Sequence, residues 1–233
     1  MRNDFNRVLI IAAHPDDDIL GCGGLINKLK KQNKEVRVAF MAEGISSRYD
    51  LNKSDKSELI QKEINHRESC AIEALKTLGL SSDNIFFSKR KCCQLDIYPL
   101  LEITKNIELH IEDFSPTCLI THFEQDTNID HRLTYQASLP AIRPTKSISI
   151  KLVLSFEILS STEWNYSEQF RPNFFLDINE ELENKLNACM KYDKEISKEN
   201  DKRSIEAIKT LARFRGLQSG HYYSEAFKLI VKR

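Results

Sequence analysis

The 233-residue chain balances 34 Lys plus Arg against 34 Asp plus Glu, so its formal net charge is zero. No global basic field draws it to nucleic acid or anionic lipid, and only a local basic patch stays open. With 41% hydrophobic and 29% charged residues and a mean hydropathy of −0.43, it reads as a soluble globular chain, long enough for one α/β domain and short for two. The first apolar run, Val8 to Ala13, is too short to span a membrane, and Met1-Arg2-Asn3-Asp4 ahead of it lacks the long apolar segment of a secretory signal. Cys22, Cys70, Cys92, Cys93, Cys118 and Cys189 contain no CxxC pair, which favours reduced thiols and a cytoplasmic protein. The adjacent Cys92 and Cys93 leave a redox or metal role open.

Val8 to Ala13 has the continuous apolar character of a strand buried on both faces of a parallel sheet. A helix is predicted from about Gly23 to Gln32, with Leu25, Ile26 and Leu29 on one face, then a strand from Glu35 to Met41. Lys56 to Leu78 has helical spacing through Leu59, Ile64, Ala71, Leu75 and Leu78, and Gly79 supplies a C-cap. A short strand over Asn84–Phe87 and a helix over Ile97–Phe114, broken before Pro116, come next. A strand follows at Thr117–Thr121, a helix at His131–Ile142 ended by Pro144, and a strand at Lys151–Phe156. Beyond it an extended Phe174–Ile178, two helices and a closing strand over Glu225–Val231 break the alternation. The pattern predicts a Rossmann-like three-layer α/β sandwich with a mostly parallel central sheet and a C-terminal helical elaboration, all in one domain over 1–233.

In such folds ligands bind beyond the carboxyl ends of the strands, where two polar clusters fall. The first is His14-Pro15-Asp16-Asp17-Asp18, directly after the first strand. Pro15 biases His14 toward an extended conformation. Neighbouring carboxylates point different ways, so one can bind a metal while the other stays free as a base. The second cluster runs from Thr121 to His131. His14, Asp17 and His131 would give two imidazoles and one carboxylate, the ligand set of a catalytic zinc with its fourth position open to water. Such an ion lowers the pKa of its water toward about 7 and polarises a carbonyl, with unligated Asp16 as general base. The alternative is structural: Asp-rich turns cap helices, as Asp130 before His131 would, and a lone histidine is often just solvated or packed.

Ala13-His14-Pro15-Asp16-Asp17 followed by Leu20-Gly21-Cys22-Gly23-Gly24 resembles the signature of the PIG-L (LmbE-like) zinc-dependent N-deacetylases, and Asp126 to His131 is similar to the family's second motif. Supporting matches extend over nearly the whole chain: Arg67 with Leu78-Gly79, Ser160 to Trp164, Arg203 to Glu206, and Gly220 through Ser224 to Phe227. The resemblance implies one zinc per chain on His14, Asp17 and His131, Asp16 as base, Asp130 as an orienting group and Arg67 near the substrate. It implies hydrolysis of an N-acetyl group from an amino sugar or its conjugate, free, nucleotide-linked or lipid-linked, in a setting such as bacterial polysaccharide biosynthesis, by an enzyme prone to form homo-oligomers. One departure stands out. Several members carry a histidine three residues before the last ligand, where this chain has Asn128, which can donate to an oxyanion but not protonate an amine.

Other candidates carry two readings each. Arg48, after the second strand, could touch a phosphate or sugar or be a solvated loop residue, and Trp164 could stack on a sugar face or pack in the core. His122 ends a strand beside the site, with packing as the simpler role. His66, His110 and His221 lie outside the motifs, and the Lys191–Lys202 run reads as a solvated face. Two rival functions remain. A Rossmann methyltransferase would use Leu20 to Gly24 as its glycine-rich loop, although His14 to Asp18 then intervenes without purpose; a non-catalytic sugar-binding module would keep the fold alone.

Overall fold

The computed structural model describes residues 4–49, 57–144, 149–197 and 201–233. Lys56, where the sequence pattern starts its helix, lies outside them, as do Met1 to Asn3 and residues 198–200 of the charged run. The elements run β1 (Arg7–Ala12), α1 (Asp17–Lys31), β2 (Glu35–Phe40), α2 (Ser57–Thr77), β3 (Ile85–Phe87), α3 (Leu100–Phe114) and β4 (Cys118–His122). They continue with α4 (Ile129–Ala141), β5 (Leu152–Phe156), β6 (Phe174–Asp177), α5 (Leu182–Cys189), α6 (Ile205–Ser219) and β7 (Ser224–Lys232). The strands form one seven-stranded sheet in the order β3-β2-β1-β4-β5-β7-β6. Pairings from β3 through β5 are parallel, and β7 runs antiparallel to both β5 and β6.

β1 shows why the sheet is covered on both sides. Side chains alternate along a strand, so Val8, Ile10 and Ala12 enter one core with α1, α2 and α5, while Leu9 and Ile11 enter the other with α3 and α4. All five are fully buried. The strand order reverses between β1 and β4, the crevice where open α/β sheets bind ligands.

Two helix starts and one buried stripe depart most from the sequence pattern. α1 starts at Asp17 rather than near Gly23, with Asp17 and Asp18 in a first turn that favours negative charge. Gly21 and Gly24 are therefore helical, and close packing explains them: an added Cβ would stand 2.5 Å from the Phe156 ring at Gly21 and 2.6 Å from Ile178 at Gly24. A glycine-rich cofactor loop, as a methyltransferase needs, is not what these residues form. α3 starts at Leu100, after Pro99, because a short 3-10 turn over Leu95–Ile97 replaces its first turn and leaves Ile97 exposed. Leu59, placed on the apolar stripe of α2, also faces solvent; the buried stripe begins at Ile64. Among the described residues no helix is long and apolar enough to cross a membrane. All six cysteines are unpaired, and only Cys93 is exposed.

Candidate active site

The turn from β1 into α1 separates its acidic side chains. Asp16 has a φ of +121°, a rare conformation for a non-glycine residue and one found where surrounding contacts hold it. Its carbonyl accepts the Leu20 amide at 2.9 Å, and its carboxylate Oδ2 accepts from Arg67 Nη2 and Arg203 Nη1, both at 2.9 Å. Burial raises the Asp16 pKa; Arg67 and Arg203 oppose the rise without cancelling it. Asp17 points the other way. Its Oδ2 accepts the His14 amide at 2.8 Å and lies 3.4 Å from His14 Nδ1, 3.3 Å from His131 Nε2 and 3.5 Å from His122 Nε2. Asp18 is buried, and that burial pushes it up to about 8, so it stands mostly protonated at neutral pH.

Two of these three imidazoles are backed by a carboxylate. His14 Nε2 pairs with Asp130 Oδ2 at 2.8 Å, and His131 Nδ1 with Asp126 Oδ1 at 3.1 Å, which turns His14 Nδ1 and His131 Nε2 inward. Donor atoms of His14, Asp17 and His131 lie within 4.8 Å of one another. The polar atoms there fit a cation. Asp17 Oδ1 and His131 Nε2 are buried without a hydrogen-bond partner among the described residues. Burial disfavours charged His131, yet Asp17 and Asp126 outweigh it and carry the imidazole to about 9. The pocket thus calls for positive charge, which a divalent ion on two imidazoles and a carboxylate would supply.

His122 is fully buried and takes a different part. Its Nε2 accepts the Ala13 amide at 2.7 Å, and its ring stacks on His131 with centroids 4.0 Å apart. Burial, then the neighbouring His131, drive its pKa well below the usual value, so it is neutral and braces the His131 ring.

The supporting shell includes residues that sequence reasoning placed elsewhere. Arg67, expected near the substrate, is buried and makes three contacts within the protein: Nε donates to the Pro15 carbonyl at 2.8 Å, Nη2 meets Asp16, and Nη1 meets Glu195 at 2.5 Å. Glu195 belongs to the run read as a solvated face, yet it is largely buried and joins Arg67 to Arg48, 2.6 Å away. Asn128, not Asp130, caps α4, its Oδ1 accepting the Asp130 amide at 2.9 Å. That leaves Asp130 to bind His14 and to accept the Cys93 and Leu95 amides at 2.6 and 3.0 Å. Cys92 comes up against the same His14–Asp130 pair. Asp126 accepts short hydrogen bonds from Ser161 and Thr162, a task for the Ser160–Trp164 segment that the chain pattern left unexplained. Trp164 is part-exposed on the next turn, with Lys202 Nζ 5.0 Å from its ring centre. Arg203 matched a motif without a role; no local pattern could have joined it to Asp16 across 187 residues.

A profile of the PIG-L family, described as GlcNAc-PI de-N-acetylase, matches residues 9–142. The Escherichia coli K12 protein named uncharacterized deacetylase YaiS is 30% identical over 77% of this chain and 85% of its own. The chain belongs to the PIG-L family of N-deacetylases. The matched region holds the whole His14–Asp17–His131 group, and stops short of Glu195 and Arg203. Among solved structures, N,N'-diacetylchitobiose deacetylase from Pyrococcus horikoshii superposes with a TM-score of 0.75 at 22% identity, covering 97% of this chain and 84% of that one. GalB of Pseudomonas putida KT2440, a 4-carboxy-2-hydroxymuconate hydratase, reaches 0.77 at 18% identity, with 97% of each chain covered. At those identities the likeness is one of fold, which PIG-L deacetylases share with a hydratase.

Proposed function

We propose that this chain hydrolyses the N-acetyl group of a small amino sugar or amino-sugar conjugate, with one zinc held by His14, Asp17 and His131 and with Asp16 as the base. The observation that carries the reading is the divergence of two adjacent carboxylates: Asp17 faces two carboxylate-backed imidazoles, and Asp16 turns away onto two guanidinium groups. A zinc ion bound there would polarise the amide carbonyl and lower the pKa of a water molecule to roughly 7. Asp16 Oδ2 is held by Arg67 and Arg203, while Oδ1 is buried with no hydrogen-bond partner among the described residues. Oδ1 is therefore the oxygen free to accept the water proton and return it to the departing amine, and the raised pKa of Asp16 suits both transfers. Asn128 commits Oδ1 to its helix cap, which leaves its amide N–H group for the substrate oxygen.

An N-acetylated sugar is supported by the name of the Pyrococcus relative, and a cytoplasmic setting by unpaired thiols of which five are buried. We further take 1–233 as one deacetylase domain, because β6 and β7 extend the same sheet.

The deciding experiment compares Asp16→Asn with Asp17→Asn by zinc analysis and by acetate release from N-acetylglucosamine and diacetylchitobiose. Asp16→Asn should keep its zinc and lose roughly 10²- to 10⁴-fold in rate, the usual contribution of a general base. Asp17→Asn should lose the metal itself. Zinc loss in Asp16→Asn with full occupancy in Asp17→Asn would exchange the two roles. A zinc-loaded parent that releases no acetate from any N-acetyl sugar would overturn the reaction.

A further inference from the structure

We propose that His66, Cys70 and Asp193 form a second metal site, built for a zinc-like divalent cation and separate from the centre described above. His66 and Cys70 lie one turn apart on α2, so their side chains share one face of the helix. Asp193 reaches them from the segment after α5. His66 Nε2 is 3.6 Å from Cys70 Sγ, Cys70 Sγ is 3.9 Å from Asp193 Oδ1, and His66 Nε2 is 2.8 Å from Asp193 Oδ1. Zinc bonds of about 2.0–2.3 Å at tetrahedral angles set donor separations of about 3.4–3.6 Å. The two sulfur distances are already close to that range. Only the His66–Asp193 pair, now hydrogen-bonded, must open by about half an ångström, and the Asp193 side chain is 62% exposed and free to do so.

The donor chemistry is selective. A thiolate beside an imidazole favours zinc, and disfavours magnesium or calcium, which prefer oxygen. Cys70 is buried and cannot be a solvated bystander, while the two outer donors leave the fourth position to water. Binding exchanges the Cys70 thiol proton, released to solvent, for the cation.

The position gives the site a consequence. His66 immediately precedes Arg67, and Asp193 stands two residues before Glu195, the partner of Arg67 Nη1. A cation shared by His66, Cys70 and Asp193 would clip α2 to that segment and brace the Arg67 contact with Asp16 from behind.

Cobalt titration of the purified, metal-depleted protein reads the site directly, because a sulfur ligand adds a near-ultraviolet charge-transfer band that two imidazoles and a carboxylate do not. The band reports sulfur alone, so it tests this site whether or not the proposed zinc centre exists. The parent should develop the band, and Cys70→Ser should lose it. Asp193→Asn, an exposed change that spares the core, should keep a band but need at least about tenfold more cobalt, since even outer partners of metal ligands are worth roughly 10–100-fold in affinity. No band in the saturated parent, or a band that survives Cys70→Ser, would overturn the proposal. Loss of the band in Cys92→Ser with its survival in Cys70→Ser would assign the sulfur to the His14–Cys92–Asp130 cluster instead.

Discussion

Strands β1 to β5 and the antiparallel pair β6–β7 belong to one sheet, but they contribute different things to the candidate active site. His14, Asp17 and His131 all follow strands of the parallel part, within the stretch matched by the family profile. Beyond that stretch come Arg203 on Asp16, Glu195 on Arg67, and a buried ion pair between Lys185 and Glu225. The pair is inserted into α1 itself. Glu225 accepts the Gly24 and Leu25 amides at 2.7 and 2.8 Å, and Lys185 donates to the Leu20 carbonyl at 2.7 Å. The C-terminal elements therefore grip the helix that presents Asp17 and the carboxylate proposed as base. One part of the chain carries the candidate site and the other holds it still.

The comparison breaks most readily at His131. His131→Ala should strip most of the zinc and bring acetate release down to the background of the assay, because no other described imidazole can replace it: His122 already spends Nε2 on the Ala13 amide. Elemental analysis beside circular dichroism checks this. A variant that stays as zinc-rich as the parent would remove His131 from the ligand set.

The C-terminal part should fail in stability rather than in metal binding. Lys185→Met leaves Glu225 buried beside two amides without its cation, and breaking one side of such a pair costs about 3–5 kcal/mol. Urea denaturation should show that loss, while the folded fraction keeps its zinc. An unchanged midpoint would mean that the amides alone satisfy Glu225.

Arg203→Ala should have a smaller effect, on turnover. It removes one of two guanidinium groups from the buried carboxylate of Asp16, and a hydrogen bond to a charged group is worth about 1.5–3 kcal/mol, or roughly 10- to 100-fold in rate. Zinc content should hold. If kcat is untouched, Arg67 alone positions Asp16.

How legible these roles were follows from their separation along the chain. β1 was readable because five consecutive apolar residues are buried on both faces, and the proposed metal ligands could be singled out because they sit in short polar stretches after strands. The start of α1 was obscured by Gly21, Gly23 and Gly24, poor helix formers whose small size is needed against Phe156, Lys185 and Ile178. Glu195 was hidden in a charged run because its partners, Arg67 and Arg48, are contributed by distant segments. Arg67 itself was recognisable as important; that it contacts Asp16 and Pro15 depended on a packing no local pattern records.

The smallest expected effect decides between the two readings of Arg48. Its guanidinium is 44% exposed and pairs with Glu195 at 2.6 Å, at the outer end of the chain of charges that runs through Arg67 to Asp16. Exposed ion pairs contribute about 0–1 kcal/mol, so Arg48→Ala should leave the urea midpoint and the zinc content near those of the parent. Glu195 keeps Arg67 as its buried partner, and kcat should therefore change little. KM is the informative quantity. If Arg48 serves only Glu195, KM for an N-acetyl sugar stays within about twofold. A KM that rises about tenfold at constant kcat would mean that the arginine also binds substrate, equally in ground and transition states, and would extend the site outward along the turn after β2.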